Sequence, residues 1–212
     1  MPIVNQFEIG KNVEVFVWQL TETRAELERV FVWESTDTSE FATISHPLKQ
    51  TEWLASRLLL KIVCVQKKLD YLSITKDSHG KPHFINSHVG VSLTHTSAFA
   101  AVAVNTRGSV GIDLETMRPK LWAVSSRFLT SAEALTVGQD LSKLCYYWCA
   151  KEAIYKCYGQ RQVSFKAHIR LDFPENYLLH SQTAARIVAP SIEKRYELHY
   201  RFFENHGLAV VF

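Results

Sequence analysis

The chain has 212 residues, 47% of them apolar, and a formal net charge of +3. That length supports one sizeable core or two small ones, and that apolar share excludes disorder as the default state. So mild a charge does not argue for nucleic acid, and no apolar run reaches membrane-spanning length, so neither nucleic acid nor membrane is expected as a partner. It is compatible with an anionic small molecule or an acidic protein met through a local basic patch. The four cysteines form no C-x-x-C pattern, and residues 1–10 lack the basic start and long apolar segment of a signal peptide. A reduced, cytoplasmic protein is the expectation.

Residues 13–20 (VEVFVWQL) read as a strand. Thr21 to Arg24 can open a helix on which Leu27, Val30 and Phe31 recur at helical spacing. Residues 35–39 are polar and read as a loop. His46-Pro47 marks a helix entrance, because proline is tolerated in the first turn. In residues 49–66, Trp53, Leu54, Arg57, Leu58, Lys61, Ile62 and Val65 recur at three and four, the pattern of an amphipathic helix. Arg57 interrupts the apolar stripe; it is either a snorkelling side chain or an anion clamp. Residues 71–75 read as a short strand, and 76–82 as a turn-rich loop that carries Lys81. Residues 84–86 continue extended. Thr94 and His95 stand in a hydroxyl-rich segment ahead of the apolar run 98–104.

Val110, Ile112 and Leu114 then alternate with Gly111, Asp113 and Glu115. Side chains two apart on a strand share a face, so both acids aim the same way. Two adjacent carboxylates repel unless a cation or a proton sits between them, and magnesium suits such a pair of hard oxygen donors. Thr130 and Glu133 match a capping box. Residues 141–159 form a second strong helix ending at Gly159. On it Trp148, Glu152 and Lys156 are spaced by four and share a face, with Lys151 beside them. Residues 163–173 read as extended and Pro174-Glu175-Asn176 as a turn. Residues 177–180 and 184–188 read as short strands. Residues 196–203 and 208–212 read as a hairpin around the turn 204–207.

Three pieces stand out together: Gly111-Ile112-Asp113-Leu114-Glu115, Arg127-Phe128-Leu129-Thr130-Ser131-Ala132-Glu133, and Trp148-Cys149-Ala150-Lys151-Glu152-Ala153-Ile154-Tyr155-Lys156. They resemble the 4'-phosphopantetheinyl transferase superfamily, whose signature is G-x-D followed downstream by W/F-x-x-K-E-x-x-x-K. Arg57, Gly80-Lys81-Pro82 and Leu93-Thr94-His95 extend the resemblance upstream, and the length is similar to the larger, surfactin-type (Sfp-like) group. One departure is Lys49-Gln50, a single positive charge where surfactin-type members often carry two.

The resemblance implies an α+β fold, a pseudo-twofold pair of similar halves, each a small antiparallel sheet packed against a long helix. It divides the chain into residues 1–104, with the nucleotide-end contacts, and 105–212, with the metal site and carrier docking, the active site lying in the cleft between them. It implies transfer of the 4'-phosphopantetheine arm of coenzyme A to a serine of an apo acyl or peptidyl carrier protein, with release of adenosine 3',5'-bisphosphate. Asp113, Glu115 and Glu152 would hold Mg2+ (or Mn2+). Lys156 would contact a phosphate oxygen with Lys151 assisting, and Arg57, Lys81, Thr94 and His95 would hold the nucleotide end. Glu152 is the first choice of general base, with Glu133 or a metal-bound water as rivals. A monomer is expected. A magnesium-dependent phosphohydrolase or nuclease, and a non-catalytic carrier-binding module, are the alternatives.

Overall fold

The computed structural model describes residues 3–85, 87–161, 163–172, 180–190 and 192–212. It is an α+β structure of two antiparallel sheets lying back to back, each backed by a long helix. In chain order the elements begin with β1 (Ile3–Ile9), β2 (Val13–Gln19), α1 (Arg24–Val30), α2 (Ser35–Ala42) and α3 (Pro47–Lys67). Next come β3 (Ile74–Lys76), β4 (Pro82–Phe84), β5 (Gly90–His95), β6 (Phe99–Asn105) and β7 (Gly111–Thr116). Then follow α4 (Ser125–Phe128), α5 (Ser131–Val137), α6 (Leu141–Tyr158) and α7 (Phe165–His168). The chain finishes with β8 (Ile169–Leu171), β9 (His180–Ala189), β10 (Ile192–Phe203) and β11 (His206–Val211). The first sheet runs β1-β2-β6-β5-β4-β3 and the second β7-β11-β10-β9-β8.

Strand periodicity sorts the apolar residues into three cores. Phe16 and Trp18 of β2, with Ala100 and Val102 of β6, face Leu54, Leu59 and Val63 of α3. Their alternate neighbours, Val15, Val17, Phe99, Ala101 and Ala103, face the second sheet and meet Ile112, Leu114, Leu208 and Val210. Both faces of β6 are therefore dry, which is why its residues from Phe99 to Val104 are an unbroken apolar run. On the far side, Ala209, Val211, Leu198 and Tyr200 pack on α6 through Cys145, Cys149, Ala153 and Ile154. Burial of each such aliphatic side chain contributes about 2 kcal/mol before entropy is charged against it.

The two long helices form where the apolar spacing places them. The N-cap of α3 is His46, whose ring accepts from the amide of Leu48, with Pro47 in the first turn; Lys68 in the left-handed region closes it. Asp140 caps α6 and Gly159, also left-handed, ends it. Thr130 and Glu133 do form a capping box on α5. The hairpin of β10 and β11 is present, Phe203 pairing with His206.

Local readings failed where long-range contacts decide. Residues 35–39 are helical rather than a loop: Asp37 of α2 is buried, bound by Lys61 at 2.8 Å and by the Tyr71 hydroxyl at 2.5 Å. Tyr71–Ser73 is a 3-10 turn, and the strand begins only at Ile74. Residues 163–173 are not one extended run, because Ser164 caps the single turn of α7. Strand β1, for which residues 3–9 carried no reading, pairs with β2. The turn read at Pro174-Glu175-Asn176 lies outside the described residues, as do Asn86 and all but His180 of the strand read over 177–180.

Candidate active site

The edge strand of the second sheet, β7, runs beside the inner strand β5 of the first, and side chains do the joining there. Ser92 Oγ accepts from the Ile112 amide at 3.1 Å. Thr94 Oγ1 accepts from the Leu114 amide at 3.2 Å and donates to Asp113 Oδ1 at 3.2 Å. Beside this seam opens a cavity of about 540 Å3, walled by α3, β5, β7, α6 and the segment 76–82. Its walls come from both sheet-and-helix units, so residues far apart in sequence share one space.

Gly111, the first residue of the motif on β7, explains how close α6 lies. A Cβ there would fall 1.9 Å from the Ala153 carbonyl oxygen and 2.5 Å from the Cys157 nitrogen. Strand and helix backbones nearly touch, which brings the α6 face of Glu152 and Lys156 onto Asp113. Lys156 Nζ donates to Asp113 Oδ1 at 2.7 Å and to the Ile112 carbonyl at 3.0 Å. Glu115 receives Arg118 at 3.3 Å and the Thr116 amide at 2.9 Å, and burial raises its carboxyl above the usual range.

Glu152 differs from both. Among the described residues its carboxyl has no hydrogen bond or ion pair. Burial, with the negative charge of Asp113 and then Glu115 added, pushes it up to about 7 against the pull of Lys156. An acid so placed wants a proton or a cation.

Among the described residues, no three His, Cys, Asp or Glu side chains draw together into a group that could hold a metal ion. Asp113 is turned to Lys156 and Glu115 to Arg118, which spreads the carboxylates around the cavity wall. The donor set still fits magnesium: its ligands are hard oxygens, and that ion commonly takes only one or two protein carboxylates, leaving water and substrate phosphate to complete its shell.

The cations line the same cavity. His95 on β5 has its Nδ1 3.0 Å from Glu52 Oε2, a carboxylate with 2% exposure that also takes Lys49 at 2.6 Å. That bond fixes the ring plane. Arg57, almost buried on α3, pairs with Glu40 at 2.7 Å. Lys81 lines the cavity too, but its ammonium donates to the Cys157 carbonyl near the end of α6, and its stem lies against Gly159. Burial lowers its pKa.

Of the residues singled out in the sequence, Asp113, Glu115, Glu152, Lys156, Arg57, Lys81, Thr94 and His95 all line this cavity. Lys151 does not. It is wholly buried, donating to Glu133 at 2.8 Å and to the carbonyls of Phe128 at 2.7 Å and Phe165 at 3.1 Å. Its three donors are spent there, which leaves none for a ligand. The reason is rotation: neighbouring helical residues point roughly 100° apart, so Lys151 turns to the core while Glu152 turns to the cavity. Sequence reasoning missed Trp53, Ser92 and Lys76, which also line the cavity. Lys76 stood in a loop with several polar residues and no pattern to single it out.

Comparison with known proteins agrees with the motifs. Residues 109–211 match the model of the 4'-phosphopantetheinyl transferase superfamily. The matched part, just under half of the chain, holds both parts of the signature, Gly111 to Glu115 and Trp148 to Lys156. The chain is similar to 4'-phosphopantetheinyl transferase HetI of Nostoc sp., 34% identical over 105 residues that make up 44% of this chain and 42% of the relative. It is also similar to slr0495 of Synechocystis sp., whose name assigns it provisionally to the same transferases, 28% identical over 128 residues, or 54% of this chain and 52% of the relative. The matches span about half the length of these curated relatives.

Proposed function

We propose that this protein is an enzyme that transfers the 4'-phosphopantetheine arm of coenzyme A to a serine hydroxyl of an apo acyl or peptidyl carrier protein, releasing adenosine 3',5'-bisphosphate. One observation carries the reading: three carboxylates and Lys156 line the same cavity as Arg57, Lys81 and His95. Coenzyme A has a diphosphate at its centre and a separate phosphate on its ribose, so it needs a cation site and a distinct basic site. A magnesium ion held by Asp113, Glu115 and Glu152 would neutralise charge building on the diphosphate oxygens.

The chain's own groups do the rest. Lys156, already anchored on Asp113 and the Ile112 carbonyl, has a donor left for a phosphate oxygen. Arg57 and His95 hold the ribose phosphate, the guanidinium through its fork. Trp53 and Tyr155 on the cavity wall offer apolar faces to the nucleotide. Glu152 is the best-supported base for the serine proton, since its carboxyl has no hydrogen-bond or ion-pair partner among the described residues and its pKa lies near neutrality. Glu133 is committed to Lys151 and to the Thr130 amide. In this reading residues 1–104 bind the nucleotide end, while 105–212 carry the metal site and receive the carrier.

The test is to incubate the full chain with coenzyme A, magnesium and an apo carrier, and to weigh the carrier. A phosphopantetheine gain that needs magnesium supports transfer. Hydrolysis of coenzyme A with the carrier unchanged would replace the transferase by a phosphohydrolase. Carrier binding with neither reaction would point to a binding module.

A further inference from the structure

Arg57 and Lys76 come from different elements, α3 and β3, and both line the large cavity. Behind them is a second cavity of about 160 Å3, which they line together with Glu40 of α2. Glu40 is not on the wall of the large cavity, so it grips the two cations from the rear. Its Oε2 accepts from Arg57 Nη2 at 2.7 Å and from Trp53 Nε1 at 3.3 Å, and its Oε1 lies 2.5 Å from Lys76 Nζ. The Arg57 guanidinium also lies 5.5 Å from the centre of the Trp53 ring. Burial tends to raise the Glu40 carboxyl, but Lys76 and Arg57 outweigh it and hold the group ionised. Arginine carries five donors and lysine three; the bonds to Glu40 use one of each.

We propose that Lys76 is a further anion-binding residue of the large cavity, and that Glu40 is the positioning residue that sets Lys76 and Arg57 as one clamp for a terminal phosphate. The proposal rests on the coenzyme A reading, in which that phosphate is the one on the ribose. Two cations and one carboxylate leave a net charge of +1. A dianion then meets donors already aligned instead of ordering two long side chains on arrival. Arg57 is stacked and nearly buried; Lys76, with 44% of its side chain exposed, depends more on Glu40 for its position.

The experiment is calorimetry on the full chain with magnesium, titrating coenzyme A and, separately, 3'-dephospho-coenzyme A. The parent should prefer coenzyme A by about tenfold or more, as charge-assisted bonds to one phosphate allow. Lys76→Met and Glu40→Ala should each cut that preference by roughly three- to tenfold, leaving the 3'-dephospho compound within about twofold of its parent affinity. Lys76 is exposed enough that its variant folds even if Glu40→Ala does not. A role for Glu40 in stability alone would weaken both nucleotides together, and that result overturns the proposal, as does an unchanged preference in Lys76→Met. A parent that binds both nucleotides equally overturns the clamp while leaving the coenzyme A reading standing. A parent that binds neither overturns both.

Discussion

Lys151 Nζ lies 2.8 Å from Glu133 Oε2, in a place where the lysine side chain has no exposed surface at all. The motif lysine thus ties α6 to the start of α5, to the end of α4 through the Phe128 carbonyl, and to α7 through the Phe165 carbonyl. It holds the helix that presents Glu152 and Lys156, without itself meeting a ligand. Lys151→Ala strands a buried carboxylate and two carbonyls, and should cost about 3 kcal/mol or more of stability in a urea titration. Protein that remains folded should bind coenzyme A within about threefold of the parent, because no cavity donor is lost. A large loss of affinity in stable protein would return Lys151 to the ligand set.

Metal-free protein should become less stable as pH rises from the ordinary carboxyl range to neutrality. The Glu152 carboxyl titrates near 7 in the fold, against 4.5 for the free side chain, so between those values the folded state binds more protons than the unfolded one. Stability therefore falls with rising pH, by at most about 3 kcal/mol for that interval. Glu152→Gln should flatten the profile in EDTA and leave the protein more stable than the parent at pH 8. Magnesium should raise the parent's melting temperature at pH 8 and do less for the variant. A parent profile in EDTA that rises or stays flat between pH 5 and 7 would count against the environment described for Glu152.

Gly111→Ala should be among the most damaging single-methyl additions to the chain. The new carbon would overlap the backbone of α6 at Ala153 and Cys157, and backbone cannot swing aside as a side chain can. A cost above about 3 kcal/mol, or failure to fold, is expected. Soluble variant should have lost transfer more than nucleotide binding, since α6 would stand off from Asp113. Near-parent stability and rate would mean that strand and helix are further apart than described.

Asp113→Ala and Glu152→Ala should each lower carrier modification by a hundredfold or more while coenzyme A binding is retained in part, through Arg57 and His95. The readout is the mass of the carrier over time, beside calorimetry of the same variants. Parent rates in both would remove the metal assignment.

Much of the architecture was legible because it is written in short periods. The stripe of α3, the capped helix α6 and the alternation of β7 each express local rules, a spacing of three to four or of two, and all three formed as read. Asp113 and Glu115 do share a face, with Ile112 and Leu114 buried behind them. Helix α2 was illegible for the opposite reason. Its sequence is polar, and what gives it a place is Asp37 and Glu40 reaching Lys61, Tyr71, Arg57 and Lys76 on other elements. No local pattern encodes partners more than a dozen residues away.

The sequence alone settled which segments are helices of long period, which strand carries two acids on one face, and which motifs stand in which order. Those properties depend on neighbours along the chain. Only the tertiary structure decided that Lys151 faces Glu133 while the adjacent Glu152 faces the cavity, and that Lys76 and Trp53 join its wall. A side chain's destination depends on how its element is rotated against elements far away in the chain. That rotation is fixed by packing, as when a glycine lets α6 lie directly on β7.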